Sequence, residues 1–247
     1  MKKKVLSFII SEYPFIMKKS VVLFSGGLDS TTALYWALHL YEKVFALTFD
    51  YGQRHRIEVH MAKKHAQKLG VSHRILKVDL NQIGGSALTD SHLPLPEYER
   101  TEEIKERPPS TYVPFRNGIF LSLAAAWAEV EGVKDIICGF NIIDSPDYPD
   151  TRKDFVKAME LAINTGTKAS FSQEKFRILS PFVDMKKADI IRKGIELGAD
   201  FSLSISCYRG EEIPCQKCST CLLREKAFQE AGMADPLIER LKEEGKI

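Results

Sequence analysis

Short apolar runs alternate with stretches of helical period along most of the chain. Residues 21–24, 44–49, 74–78, 135–138 and 176–179 carry the β-branched and aromatic character of buried strands. Residues 31–40, about 56–69 (closed by Gly70), 117–131, roughly 153–164 and 186–197 read as helices between them. This order predicts an α/β fold, a doubly wound parallel sheet with helices on both faces. In such sheets ligands lie across the carboxyl ends of the strands, where the connection order reverses. The loops that follow the strands are therefore the expected active surface. Residues 79–114 break the pattern with Pro94, Pro96, Pro108, Pro109, Pro114 and Gly84-Gly85. A stretch of that length without elements of its own reads as a lid or substrate loop.

Composition narrows the class. The chain has 247 residues, 44% of them hydrophobic, enough for one sizeable core and a small appendage. Lysine plus arginine (35) nearly balance aspartate plus glutamate (33), so nothing marks a nucleic-acid surface. The apolar runs are too short to span a bilayer, and a cytoplasmic enzyme is the expectation. Lys2-Lys3-Lys4 and the short apolar run after it lack a cleavage site, so residues 1–16 read as an extension or a misassigned start.

The densest chemical signal is Ser25-Gly26-Gly27-Leu28-Asp29-Ser30, which follows the first strand and opens a helix. Paired glycines let the backbone approach a ligand, and the unpaired first amides of a helix favour phosphate. The hydroxyls of Ser25, Ser30 and Thr31 can add hydrogen bonds, and Asp29 can hold magnesium. The run resembles the S-G-G-x-D-S loop of the ATP pyrophosphatases and has no Walker lysine. No G-x-G-x-x-G occurs. The resemblance implies a Rossmann-like fold of the adenine nucleotide α-hydrolase type, with ATP held by Phe24, Ser25, Gly26, Gly27, Leu28, Asp29, Ser30, Thr31 and Thr32. It also implies adenylation, with pyrophosphate retained in the loop.

Four of the five cysteines fall at Cys207, Cys215, Cys218 and Cys221. Thiolates at that spacing can converge on one tetrahedral zinc ion at a closed structural site. An iron–sulfur cluster and unligated thiols are the competing readings. Cys138 ends an apolar strand and reads as a small buried residue. His55, His60 and His65 recur every five residues, about 140° apart on a helix, so they share no face and packing is their expected role.

Further motifs occur in order: Phe49-Asp50-Tyr51-Gly52-Gln53-Arg54-His55, Tyr112-Val113-Pro114-Phe115-Arg116-Asn117, Tyr148-Pro149-Asp150-Thr151-Arg152, Lys187-Ala188-Asp189 and Ser206-Cys207-Tyr208. Together with the loop and the cysteines they resemble the 7-cyano-7-deazaguanine synthase family. Thr151 departs from the cysteine usual there. The resemblance implies an ATP-dependent ligase that converts 7-carboxy-7-deazaguanine and free ammonia to the nitrile, a queuosine precursor, with no direct nucleic-acid partner and as a homodimer. It implies catalytic roles for Asp29, Lys187 and Arg116, and substrate binding by Asn117, Asp150 and Arg152. For Asn117 a helix cap, and for Asp150 and Arg152 a loop salt bridge, stand beside those roles. The chain then divides into the extension 1–16, an ATP-binding domain 17–200, and a zinc-binding segment 201–247 packed on it. A tRNA base-modifying relative is the alternative enzyme, and an adenine-nucleotide sensor or zinc-ribbon module the non-enzymatic one.

Overall fold

The computed structural model describes residues 19–104, 108–143 and 148–247. The proposed extension, the end of the charged run 102–107 and part of the loop 139–152 lie outside those residues. Among the described residues, β1 (Lys19–Leu23), β2 (Lys43–Asp50), β3 (Ser72–Lys77), β4 (Asp135–Ile137) and β5 (Arg177–Leu179) form one parallel sheet in the order β3-β2-β1-β4-β5. Chain order runs outward from β1 to β3, then returns to the other side of β1, so the switch point lies between β1 and β4. The doubly wound reading holds.

Alternation along the central strands feeds two cores. Val21, Phe45, Leu47 and Phe49 face α3 (Arg116–Glu131) and α4 (Lys153–Gly166), meeting Leu121, Ala125, Trp127 and Val156. Val22, Phe24, Val44 and Ala46 face the other way, onto α1 (Leu28–Leu40), α2 (Ile57–Leu69) and α5 (Lys187–Glu196), through Leu34, Trp36, Ala62, Ala66 and Ile190. β1 and β2 thus bury both faces, which explains their nearly continuous apolar character.

α1 starts at Leu28, three residues before the expected helix, because the Thr31 amide already donates to the Gly27 carbonyl at 2.9 Å. Two helices escape the sequence pattern: α6 (Ser219–Ala231) and α7 (Pro236–Glu243). In α6 the apolar period is interrupted by Arg224, which is only 5% exposed. Its guanidinium forks onto Asp235 and donates to the Ser204 carbonyl at 2.9 Å, while Asp235 caps α7 by accepting from the Leu237 amide at 2.9 Å. The expected lid is bound down over much of its length. Leu80, Leu88 and Val113 join the core, Arg54 donates to the Leu93 carbonyl at 2.7 Å, and the Tyr98 amide donates to the Lys217 carbonyl at 2.9 Å.

Candidate active site

A cavity of about 350 Å³ opens over the carboxyl ends of β1, β2 and β4. Its first wall is the corner after β1. Gly26 turns the chain with φ +87°, and Gly27 caps α1 without any side-chain hydrogen bond, leaving the helix's first amides free to face a ligand. Ser30 Oγ lies 3.0 Å from Ser25 Oγ and donates to the Gly27 carbonyl at 3.1 Å. Gly139 follows β4, where a Cβ would stand 2.7 Å from the Asp29 carbonyl carbon and the Ser30 nitrogen. Only glycine lets β4 and the loop approach so closely. Lys187, at the start of α5, donates to Asp29 Oδ2 at 3.0 Å, and Asp29 Oδ1 is buried with no hydrogen-bond partner. A phosphate oxygen suits the ammonium group, and a divalent cation suits the orphaned carboxylate oxygen.

The opposite wall is aromatic and comes from several elements. Phe49 and Phe120 stack with centroids 4.0 Å apart, Arg116 donates to the Tyr51 hydroxyl at 3.3 Å, and Tyr148 and Tyr208 complete the face. A flat heterocycle with polar edges fits such a surface. Phe115, at φ +53°, turns the chain into α3, and Asp150 Oδ2 accepts from the Asn117 amide at 2.9 Å. Between the walls lies Glu58 in the first turn of α2, 3.5 Å from His55 Nε2. Burial pushes the Glu58 carboxyl up to about 8 and the His55 imidazole down to about 3, so at neutral pH both are largely uncharged. Burial also raises the Tyr51 and Tyr208 phenols.

Cys207, Cys215, Cys218 and Cys221 bring four sulfurs within 4.8 Å of one another. A tetrahedral ion with bonds of about 2.3 Å needs sulfurs about 3.8 Å apart, so a small inward movement closes the site. The Cys215 and Cys218 amides donate to the sulfurs of Cys207 and Cys215 at 3.3 and 3.4 Å, which favours thiolates. Cys138 stands apart, wholly buried, as expected. The cysteine segment is part of the cavity: Ser206, Tyr208, Ser219 and Thr220 line it, and the Ile205 amide donates to the Gly26 carbonyl at 3.1 Å.

A family model described as queuosine biosynthesis protein QueC matches residues 19–232. The chain belongs to the QueC family. A 7-cyano-7-deazaguanine synthase of Pseudomonas fluorescens (strain SBW25) is 46% identical, covering 89% of this chain and 97% of its own length. That of Thermoplasma volcanium is 48% identical over 89% of this chain and 90% of its own, and that of Dechloromonas aromatica is 46% identical over 91% and 100%. The QueC match runs from the start of β1 to Gly232 at the end of α6, so it takes in both walls and all four cysteines.

In this QueC chain the sequence candidates divide. Phe24, Ser25, Gly27, Leu28, Asp29, Ser30, Arg116, Asn117 and Lys187 line the cavity. Gly26 shapes its floor. Thr31 is fully buried beneath it with an unpartnered hydroxyl. Thr32 does not reach it: its hydroxyl donates to the Leu28 and Ile190 carbonyls at 3.2 and 3.4 Å, between α1 and α5. Asp150 is buried behind Asn117 and acts on the α3 backbone, so the cap comes from Asp150 and not from Asn117. Arg152 is exposed at a separate shallow depression with Lys153 and Asp184. His65 packs in the core as expected, whereas His55 packs against the cavity itself. Tyr51 and Tyr208 stand within recognised motifs but carried no assigned role, and Glu58 stood in none.

Proposed function

We propose that the protein is an ATP-dependent carbon–nitrogen ligase that converts 7-carboxy-7-deazaguanine and ammonia into 7-cyano-7-deazaguanine. QueC family membership across the whole cavity is the observation that carries this reading. ATP lies with its phosphates on the Ser25–Ser30 corner and Lys187. The deazapurine ring lies against Tyr51, Phe120 and Tyr208, and the carboxylate faces the α-phosphorus. Magnesium held by Asp29 Oδ1 would screen the phosphate charge. Zinc held by the four thiolates would fix Tyr208 and Ser206 in the wall, a structural contribution.

Converting a carboxylate to a nitrile requires the loss of two oxygens, each after activation. The substrate carboxylate attacks the α-phosphorus, pyrophosphate leaves, and ammonia displaces adenylate to give the amide. The amide oxygen is activated in the same way, and loss of adenylate yields the nitrile. Free helix amides and Lys187 stabilise charge on the departing pyrophosphate. Arg116 orients the ring from its wall. A homodimer in the cytoplasm using free ammonia belongs to the same reading; no helix among the described residues is long and apolar enough to cross a membrane.

Mass spectrometry of a reaction with ATP, magnesium, ammonium and 7-carboxy-7-deazaguanine tests it. Nitrile together with AMP is the expected outcome. Nitrile with ADP would replace adenylation by phosphorylation, and no turnover by folded, metal-replete protein would shift the assignment to tRNA base modification.

A further inference from the structure

We propose that Glu58 is the base that takes the protons nitrogen sheds as ammonium is converted to the attacking ammonia and as adenylate then departs, an assignment that rests on the ligase reading above. Ammonium has no lone pair, so it must lose a proton before it can attack. It gives that proton to the Glu58 carboxylate, and the lone pair of ammonia forms the C–N bond at the activated carbonyl carbon. Adenylate leaves with the C–O bonding pair, and the surplus N–H proton passes to Glu58 after the first has gone to solvent. In the second half the amide sheds its remaining two N–H protons, one as its oxygen is activated and one as adenylate leaves and the triple bond forms. A single recharging carboxylate serves every one of these transfers.

Among the described residues, the cavity offers few other groups for this work. Asp29 Oδ2 is engaged by Lys187, and both belong to the phosphate wall. Arg116 stays cationic. His55 is held neutral by burial, next by Arg116, and is too weak a base. The Tyr51 and Tyr208 phenols are raised by burial and stay protonated. Glu58 stands where the two walls meet. Its side chain is 14% exposed and lines the cavity, and the turn that carries it packs on the phosphate corner, its carbonyl 3.2 Å from where a Gly26 Cβ would be. Tyr51 and His55 face it from the β2 loop, Arg116 from α3 and Cys218 from the cysteine segment. A carboxylate placed between the phosphate corner and the aromatic wall is positioned to accept protons from nitrogen at the activated carbon.

Hydroxylamine, which keeps a free lone pair at neutral pH, separates this role from mere architecture. Compared with wild type, Glu58→Gln should form amide and nitrile from ammonium at least about 100-fold more slowly, yet slow the hydroxamate from hydroxylamine by about tenfold or less, because only the proton released after attack then lacks its base. Glu58→Asp, which retains a carboxylate, should recover part of the ammonium reaction. Metal content and melting temperature report whether each variant folds. Equal loss of both nucleophiles in folded E58Q would make Glu58 structural, and an undiminished ammonium reaction would remove it from the chemistry; either overturns the proposal. Wild-type protein that made neither product would instead refute the ligase reading and the base with it.

Discussion

On the β1 side of the cavity the ligand-facing groups are largely backbone: the turn at Gly26, the free amides of α1, and the close approach that Gly139 permits. On the β2 side they are side chains from separate elements, with Tyr51 and His55 from one loop, Glu58 from α2, Arg116 and Phe120 from α3, and Tyr208 from the cysteine segment. A backbone corner is a generic device for phosphate, because amides and a helix dipole recognise any nucleotide triphosphate. An assembled wall is specific, because its shape depends on elements far apart in sequence meeting correctly. The cysteine cluster sits on the assembled side, where a fixed metal ion can hold a loop that has little core of its own.

The sharpest break in that comparison is Asp29→Ala. It removes the one carboxylate of the backbone wall among the described residues and should lower ATP turnover by about 10²–10³-fold while the melting temperature stays near wild type. Turnover is followed by AMP release and stability by calorimetry. Cys218→Ser acts on the other wall. It should lose the bound metal, by elemental analysis, and melt well below wild type, since metal binding at such a site is part of the folding free energy. Unchanged metal content would refute the four-thiolate site.

Gly139→Val tests whether the corner depends on close approach. Its Cβ would meet the Asp29 and Ser30 backbone at 2.7 Å, so a destabilisation of roughly 1–3 kcal/mol, read by denaturant titration, is expected. Glu58→Gln has a stability effect whose size depends on pH. The Glu58 carboxyl is raised from 4.5 to about 8, so its burial supports the fold fully below pH 4.5 and that support is lost as pH rises through 8. Glutamine cannot ionise. E58Q should therefore melt above wild type at pH 9, with little gain at pH 4, read by calorimetry at the two pH values.

The two walls also differ in how far the amino-acid sequence discloses them. The corner is contiguous, so Ser25 to Ser30 shows its chemistry in one reading, and the strand pattern puts it at the carboxyl edge of the sheet; the switch point follows only from the observed strand order. The cysteines disclose a metal site by spacing. They do not disclose that Ser206, Tyr208, Ser219 and Thr220 would line the cavity, because that depends on α6, whose apolar period the buried Arg224 interrupts. Glu58 reads as an ordinary acid in a first helical turn, and only the packing of α2 against Gly26 shows that it faces the site. Thr32 and Arg152 show the converse. Both lie close in sequence to cavity-lining residues, but one helical step turns Thr32 into the α1–α5 interface, and Arg152 points to the outer surface.

The most direct test of a single cavity holding both nucleotide and deazapurine acid is exchange of labelled pyrophosphate into ATP without ammonium. Wild-type protein should catalyse exchange only when 7-carboxy-7-deazaguanine is present, and Asp29→Ala should lower it by about 100-fold or more. Exchange at full rate without the acid, or undiminished exchange in Asp29→Ala, would contradict the joining of the two walls into one active site.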